Sequence, residues 1–188
     1  MRVIAGTAGG RNLESVPGES TRPITDRVKS ALFSTLTSRA MVEGCRYLDL
    51  FGGTGAVGIE ALSRGASEAV FCEMDRDALR VLQRNLEVTR LADRAVVVPG
   101  DAFKYLVRPD LAPFDVIYVA PPQYRGLWLR ALTLVDARPE LLRRNGLVVV
   151  QVFPKEWTAP ELAHLDLVDE RRYGSTALYY FTPRTDGP

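Results

Sequence analysis

The chain has 188 residues, 46% of them apolar and 25% charged, with a formal net charge of +1; this suits one domain with a sizeable core and excludes both a disordered chain and a long, purely electrostatic grip on nucleic acid. No apolar run approaches the roughly 20 residues that span a bilayer, and Met1–Gly6 lacks the apolar stretch of a signal peptide, so a cytoplasmic location is expected. Two separated cysteines, Cys45 and Cys72, and a single histidine, His164, argue against a disulfide, a zinc site, any other metal site or a histidine-based triad.

In chain order, Met1–Leu13 reads as a hairpin punctuated by Gly6, Gly9 and Gly10. Thr25 then suits the N-cap of a helix whose Val28, Leu32 and Leu36 recur four residues apart. From Tyr47 onward, short apolar runs alternate with helical patterns. The runs Tyr47–Phe51, Ala69–Glu73, Ala95–Pro99, Phe114–Val119 and Leu147–Phe153 have the composition of parallel strands buried on both faces. Between them, Ala56–Arg64 reads as a helix closed by Gly65, Asp75–Thr89 as an amphipathic helix with Ala78, Leu82 and Leu86 on one face, and Leu127–Val135 as a third. Asp166–Tyr173 and Thr176–Thr182, joined by Gly174-Ser175, form an antiparallel finish. The fold class is therefore α/β, with residues 1–45 as an N-terminal appendage and 46–184 as the main domain. We see no repeat and no long linker.

The chemistry concentrates at strand ends. Tyr47-Leu-Asp-Leu-Phe-Gly-Gly-Thr-Gly-Ala-Val-Gly58 is a strand, a turn with glycines at 52, 53 and 55, and a helix start, a pattern that lets backbone approach a ligand closely. Asp49 stands just before the turn, where a carboxylate attracts a cationic group. Glu73 ends the next strand about 20 residues on, the place of an acidic side chain that takes ribose hydroxyls. Asp101 follows the third strand and suits either an adenine amino group or a helix N-cap. These carboxylates would repel a pyrophosphate, so S-adenosylmethionine is favoured over a dinucleotide.

A second motif, Phe114-Asp-Val-Ile-Tyr-Val-Ala-Pro-Pro-Gln-Tyr124, runs a strand straight into two prolines. Prolines lack N–H groups, so the loop presents carbonyl acceptors where open α/β sheets bind ligands. Acceptors are what an exocyclic base amine requires, because hydrogen bonds from its N–H groups hold its lone pair toward a methyl donor. On this reading Ala120, Pro121, Pro122 and Tyr124 form the catalytic loop, with Tyr124 stacking the base and Tyr118 a second aromatic for the same task. Of 24 basic residues, 21 are arginine, which offers forks suited to phosphate and base edges.

These residues resemble the Rossmann-like methyltransferases and, within them, the bacterial 16S ribosomal RNA guanine-N2-methyltransferases of the RsmD type. The likeness covers nearly the whole chain. It rests on Met1-Arg-Val-Ile-Ala-Gly6 with Gly10-Arg-Asn-Leu13, Arg22-Pro-Ile-Thr-Asp-Arg-Val28 with Leu32-Phe33, Asp49–Gly55, Glu60–Gly65, Glu73-Met-Asp75, Asn85-Leu86 and Tyr173-Gly-Ser-Thr176. The resemblance implies a seven-stranded, mostly parallel sheet with an antiparallel final hairpin, and methyl transfer from S-adenosylmethionine to N2 of a guanine. It further implies cofactor contacts from Asp49, Phe51, Gly52, Gly53, Thr54 and Gly55 on the first turn, and from Glu73, Met74, Asp101 and Ala102 on the next two. Arg22, Thr25, Asp26, Arg27 and Gln123 become the RNA rim. The implied partner is 16S ribosomal RNA in a small subunit or its assembly intermediate, approached by a monomer.

One position departs from that pattern. The group has Asp or Asn before Pro-Pro and an aromatic directly after, whereas this chain has Ala120 before and Gln123 after, with Tyr124 one place late. Ala120 supplies no side-chain acceptor. Two other readings stay open at this point: a DNA adenine-N6 or cytosine-N4 methyltransferase, and an assembly factor that holds ribosomal RNA without transfer.

Overall fold

A computed structural model describes residues 1–16, 24–123 and 125–184. Seven strands, β1 (Arg46–Asp49), β2 (Glu68–Glu73), β3 (Ala95–Pro99), β4 (Phe114–Val119), β5 (Leu142–Val152), β6 (Leu165–Tyr173) and β7 (Thr176–Pro183), form one sheet in the order β3-β2-β1-β4-β5-β7-β6. The first five are parallel, and β7 inserts antiparallel between β5 and β6. The order reverses at β1, which has β2 on one side and β4 on the other, so a crevice opens beyond the carboxyl ends of β1 and β4.

Among the described residues, five α-helices cover the two faces. On one lie α1 (Asp26–Ser38), α2 (Ala56–Ser63) and α3 (Arg76–Thr89); on the other α4 (Ala102–Leu106) and α5 (Leu127–Asp136). Each start has a local cause. Thr25 accepts a hydrogen bond from Val28 N at 3.3 Å to cap α1, and Asp75 accepts from Asp77 N and Ala78 N to cap α3. Helix α2 is buried along its whole length, its polar Glu60 and Ser63 included, because sheet, α1, α3 and the N-terminal segment enclose it.

The N-terminal residues share the core rather than sitting outside it. Val3, Ala8 and Leu13 are buried with Leu32, Phe33, Leu62 and Leu86. The expected hairpin over Met1–Leu13 is present as one antiparallel bridge, Arg2 to Asn12, flanked by Val3 N to Arg11 O and Leu13 N to Met1 O bonds of 2.9 Å. Its glycine-rich tip turns away from ladder pairing and docks on Ser63 of α2, through Ala8 N to Ser63 Oγ at 2.9 Å.

Three differences from expectation exceed a single residue at an element's end. β1 ends at Asp49, leaving Leu50 and Phe51 to the turn. β5 begins at Leu142, ahead of its apolar run, because the exposed Arg143–Asn145 stretch still follows β4 across an irregularity between Phe114 and Val116. The short α4 is an element of which the sequence shows only the N-cap, Asp101.

Behind α5, Trp157 stacks between Trp128 at 4.9 Å and Tyr179 at 3.5 Å. Nearby, the Asp136 carboxylate at the end of α5 accepts from the backbone N–H groups of Ala163, His164 and Leu165 at 2.8–2.9 Å and so fixes where β6 starts. His164 Nδ1 lies 2.9 Å from Asp136 O; this lone histidine is a structural link.

Candidate functional site

At the switch point, a cavity of about 100 Å³ opens between the glycine turn and the end of β4. Asp49, Phe51, Gly52, Gly53 and Thr54 line one side, Tyr118, Ala120 and Gln151 the other, and Met1 and Ile24 bring the N-terminal segment to its mouth. The turn has to be glycine where backbone and helix crowd. Gly55 has φ +80°, and a Cβ there would lie 2.3 Å from Leu82 Cδ1.

Asp49 is 2% exposed and accepts a bond from Gly58 N at 3.1 Å. Burial, opposed by that bond and reinforced by the negative charge of Glu73, pushes its carboxyl up to about 7. Among the described residues no cation pairs with it, so a buried acid faces a cavity with its charge uncompensated. A ligand carrying an ammonium group would supply the missing partner.

Glu73 sits at the rim of the same turn. Its Oε2 accepts from Gly53 N at 2.7 Å, and its Oε1 accepts from Met74 N and Asp75 N, both at 2.8 Å. One carboxylate therefore ties the turn after β1 to the end of β2. Met74 beside it is 70% exposed, an apolar surface that a flat ring would cover.

Asp101 accepts from Phe103 N and Lys104 N at 2.8 and 3.0 Å and caps α4. It faces a second, larger groove of about 600 Å³ between α4 and α5, where Arg130 lies 3.9 Å over the Phe103 ring. Ala102 is buried in the first turn of α4. Phe51 meets Phe103 edge-on with centroids 6.0 Å apart, so the two cavities share an aromatic wall.

The remaining expected residues divide. Pro121 is half-buried, while Pro122 and Gln123 are exposed at the end of β4. Thr25 is taken up as a cap, and Asp26 pairs with Arg2 at 3.0 Å; with the exposed Arg27 they follow directly on the cavity-lining Ile24. Arg22 and Tyr124 lie outside the described residues.

Tyr118 does not offer a free stacking face. It is 2% exposed, and its hydroxyl donates to Gln151 Oε1 at 2.5 Å. Gln151, Met1 and Ile24 are the site residues that sequence reasoning missed. Met1 and Ile24 lie inside stretches that carry the family resemblance and reach the cavity by the return of the N-terminal segment, whereas Gln151 belongs to no motif and arrives by strand register alone.

Comparison with known proteins supplies the context. The family model described as "Conserved hypothetical protein 95" matches residues 1–182. Ribosomal RNA small subunit methyltransferase D of Haemophilus influenzae is 32% identical over 182 residues, 92% of this chain and 93% of the relative. The solved structure of a hypothetical protein from Thermus thermophilus superposes with TM-score 0.79 at 34% identity, covering 98% of this chain and 99% of that one. An RNA methyltransferase from Salinibacter ruber, solved with S-adenosyl-L-homocysteine, shares the fold with TM-score 0.66 at 19% identity over 89% of this chain and 97% of that one.

Proposed function

The chain belongs to the Conserved hypothetical protein 95 family, and from that membership we propose that it methylates the exocyclic N2 amine of a guanine in 16S ribosomal RNA. It is a Rossmann-like, S-adenosylmethionine-dependent methyltransferase. The observation that carries the finer reading is the convergence, on one cavity at the sheet's switch point, of an uncompensated buried acid, a glycine turn and Ala120 at the strand end that leads into Pro-Pro.

The residues fit the cofactor. Asp49 holds the cationic amino-acid end, Gly52–Gly55 let the backbone close on it, and Glu73 takes the ribose hydroxyls without leaving the turn it organises. Met74, Ala102 and Asp101 border the adenine. Held by these residues, S-adenosylmethionine would supply the methyl group to the amine nitrogen, and the proton displaced from that nitrogen would pass to water. No dedicated base is required, since the methylated nitrogen is strongly acidic.

The protein's own work is to position. The carbonyls of Ala120 and Pro121 accept from the amine, and Tyr124 stacks the extruded base. Thr25, Asp26, Arg27, Arg22 and Gln123 form the rim that meets RNA. The near-neutral charge favours a partly assembled or complete small subunit over naked RNA, because few phosphate contacts are available to supply affinity. We place the protein in the cytoplasm as a monomer, with residues 1–45 as an N-terminal appendage whose Met1 and Ile24 stand at the cavity mouth.

The test is transfer of labelled methyl from S-adenosylmethionine to unmodified small subunits, with the product base identified by nuclease digestion and mass spectrometry. N2-methylguanine is expected. Methylated DNA adenine or cytosine in its place, or cofactor binding with no product on any substrate, would sink the reading.

A further inference from the structure

The loss of a side-chain acceptor at position 120 has a neighbour that answers it. In the parallel pairing of β4 and β5, Val119 lies opposite Val150, so Ala120 and Gln151 occupy the next step of the ladder. Val119 and Val150 both point into the core under α4 and α5. Side chains alternate along a strand, so Ala120 and Gln151 point to the other face, and both line the cavity that holds Asp49.

We propose that the Gln151 carboxamide is the side-chain acceptor that aligns the target amine, standing in from β5 for the group absent at position 120 on β4. The assignment rests on the amine-methylation reading above. A carbonyl oxygen carries two acceptor sites. Tyr118 fills one of those on Gln151 with its hydroxyl at 2.5 Å, and being buried it holds the carboxamide in place. The second site is left for an N–H of the incoming base.

A neutral acceptor also suits this particular cavity. Asp49 is already buried in the wall, with the carboxylate of Glu73 near enough to repel it. A carboxylate at position 120 or 151 would add a third negative charge and make ionisation of Asp49 still harder. Gln151 supplies a lone pair without that charge. Alanine at 120 leaves room for the longer glutamine side chain to reach across the strand pair.

The experiment compares the full-length native chain with Gln151→Met, Tyr118→Phe and the double variant Gln151→Met/Ala120→Asn, on unmodified small subunits. S-adenosylhomocysteine affinity is measured by calorimetry on each. Methionine keeps the volume and removes the acceptor. The expected result is a fall in kcat of about ten- to a hundredfold for Gln151→Met, with particle KM and S-adenosylhomocysteine Kd held within about threefold. Tyr118→Phe gives a smaller fall in kcat, and Ala120→Asn recovers about tenfold of the loss by restoring an acceptor from the neighbouring strand. Native kcat in Gln151→Met, a matching loss of cofactor affinity, or no recovery in the folded double variant would each overturn the assignment. A native chain that methylates no base amine overturns the amine-methylation reading and the assignment together, whereas an active native chain with an equally active Gln151→Met overturns the assignment alone.

Discussion

Lys29 Nζ lies 3.1 Å from Glu60 Oε2, and both side chains are wholly shut off from solvent. Glu60 also takes Arg64 Nε at 2.7 Å and the backbone N–H groups of Ile4 and Ala5 at 2.8 and 3.1 Å. Lys29 donates in addition to Arg2 O at 2.5 Å. The pair therefore clamps the N-terminal segment onto α1 and α2, and through Met1 it reaches the cavity mouth.

Removing one partner of such a pair leaves a buried charge uncompensated, at a cost of about 3–5 kcal/mol. Glu60→Leu is expected to lose stability in that range, since two backbone donors and a lysine are orphaned at once. Lys29→Met should lose less, because Arg64 and both N–H groups still hold the carboxylate. Urea unfolding at pH 7 measures both, and equal losses would count against the clamp.

Glu73 makes three hydrogen bonds to backbone N–H groups that link two turns. Glu73→Ala is expected to weaken S-adenosylhomocysteine binding about ten- to a hundredfold, the scale of one to two charge-assisted bonds. Glu73→Gln should fall in between. Calorimetry decides it, and unchanged affinity in the alanine variant would exclude the ribose role.

The Asp49 carboxyl stands at about 7 in the folded protein, against roughly 3.9 in an unfolded chain. Folding thus disfavours its ionised form, so this group lowers stability progressively as pH rises from about 4 to 7, and the penalty levels off above 7. An ammonium-bearing ligand prefers the ionised acid. S-adenosylhomocysteine affinity should accordingly climb as pH approaches 7, with proton release below it, and Asp49→Asn should flatten the profile. Calorimetry in buffers of differing ionisation enthalpy reads both effects; a native profile as flat as the variant's would remove Asp49 from the ligand's ammonium.

A Cβ at Gly58 would fall 2.2 Å from Cε1 of Phe71, a ring with no exposed surface. Gly58→Ala is expected to destabilise by about 1–3 kcal/mol through overpacking. A melting temperature within error of native would show that Phe71 has room to move.

Most of the sheet was legible because its strands carry unbroken apolar runs: β4, central and buried on both faces, matches its sequence range end to end, and so does β3, although it is an edge strand that is only partly buried. β5 was cut short because Leu142–Asn145 is largely polar and exposed although it continues the strand. Helix α4 spans Ala102–Leu106, which is too short to show a helical period; only its cap, Asp101, was visible. The turn residues and Glu73 could be found by spacing alone. Gln151 could not, for its nearness to Ala120 follows from the β4–β5 register, and a single polar residue in an apolar strand has no motif to announce it. Glu60 was likewise silent, since nothing in a helical glutamate foretells burial against a lysine of another helix.

Both tryptophans of the chain stand in the one aromatic stack behind α5, and neither lines the cavity at the switch point. Emission excited at long wavelength therefore comes from the far side of the sheet. It reports whether α5, β7 and the segment between β5 and β6 remain docked, on the face of the sheet opposite the cavity that holds Asp49. A variant's folding can thus be followed optically at a place remote from that acid.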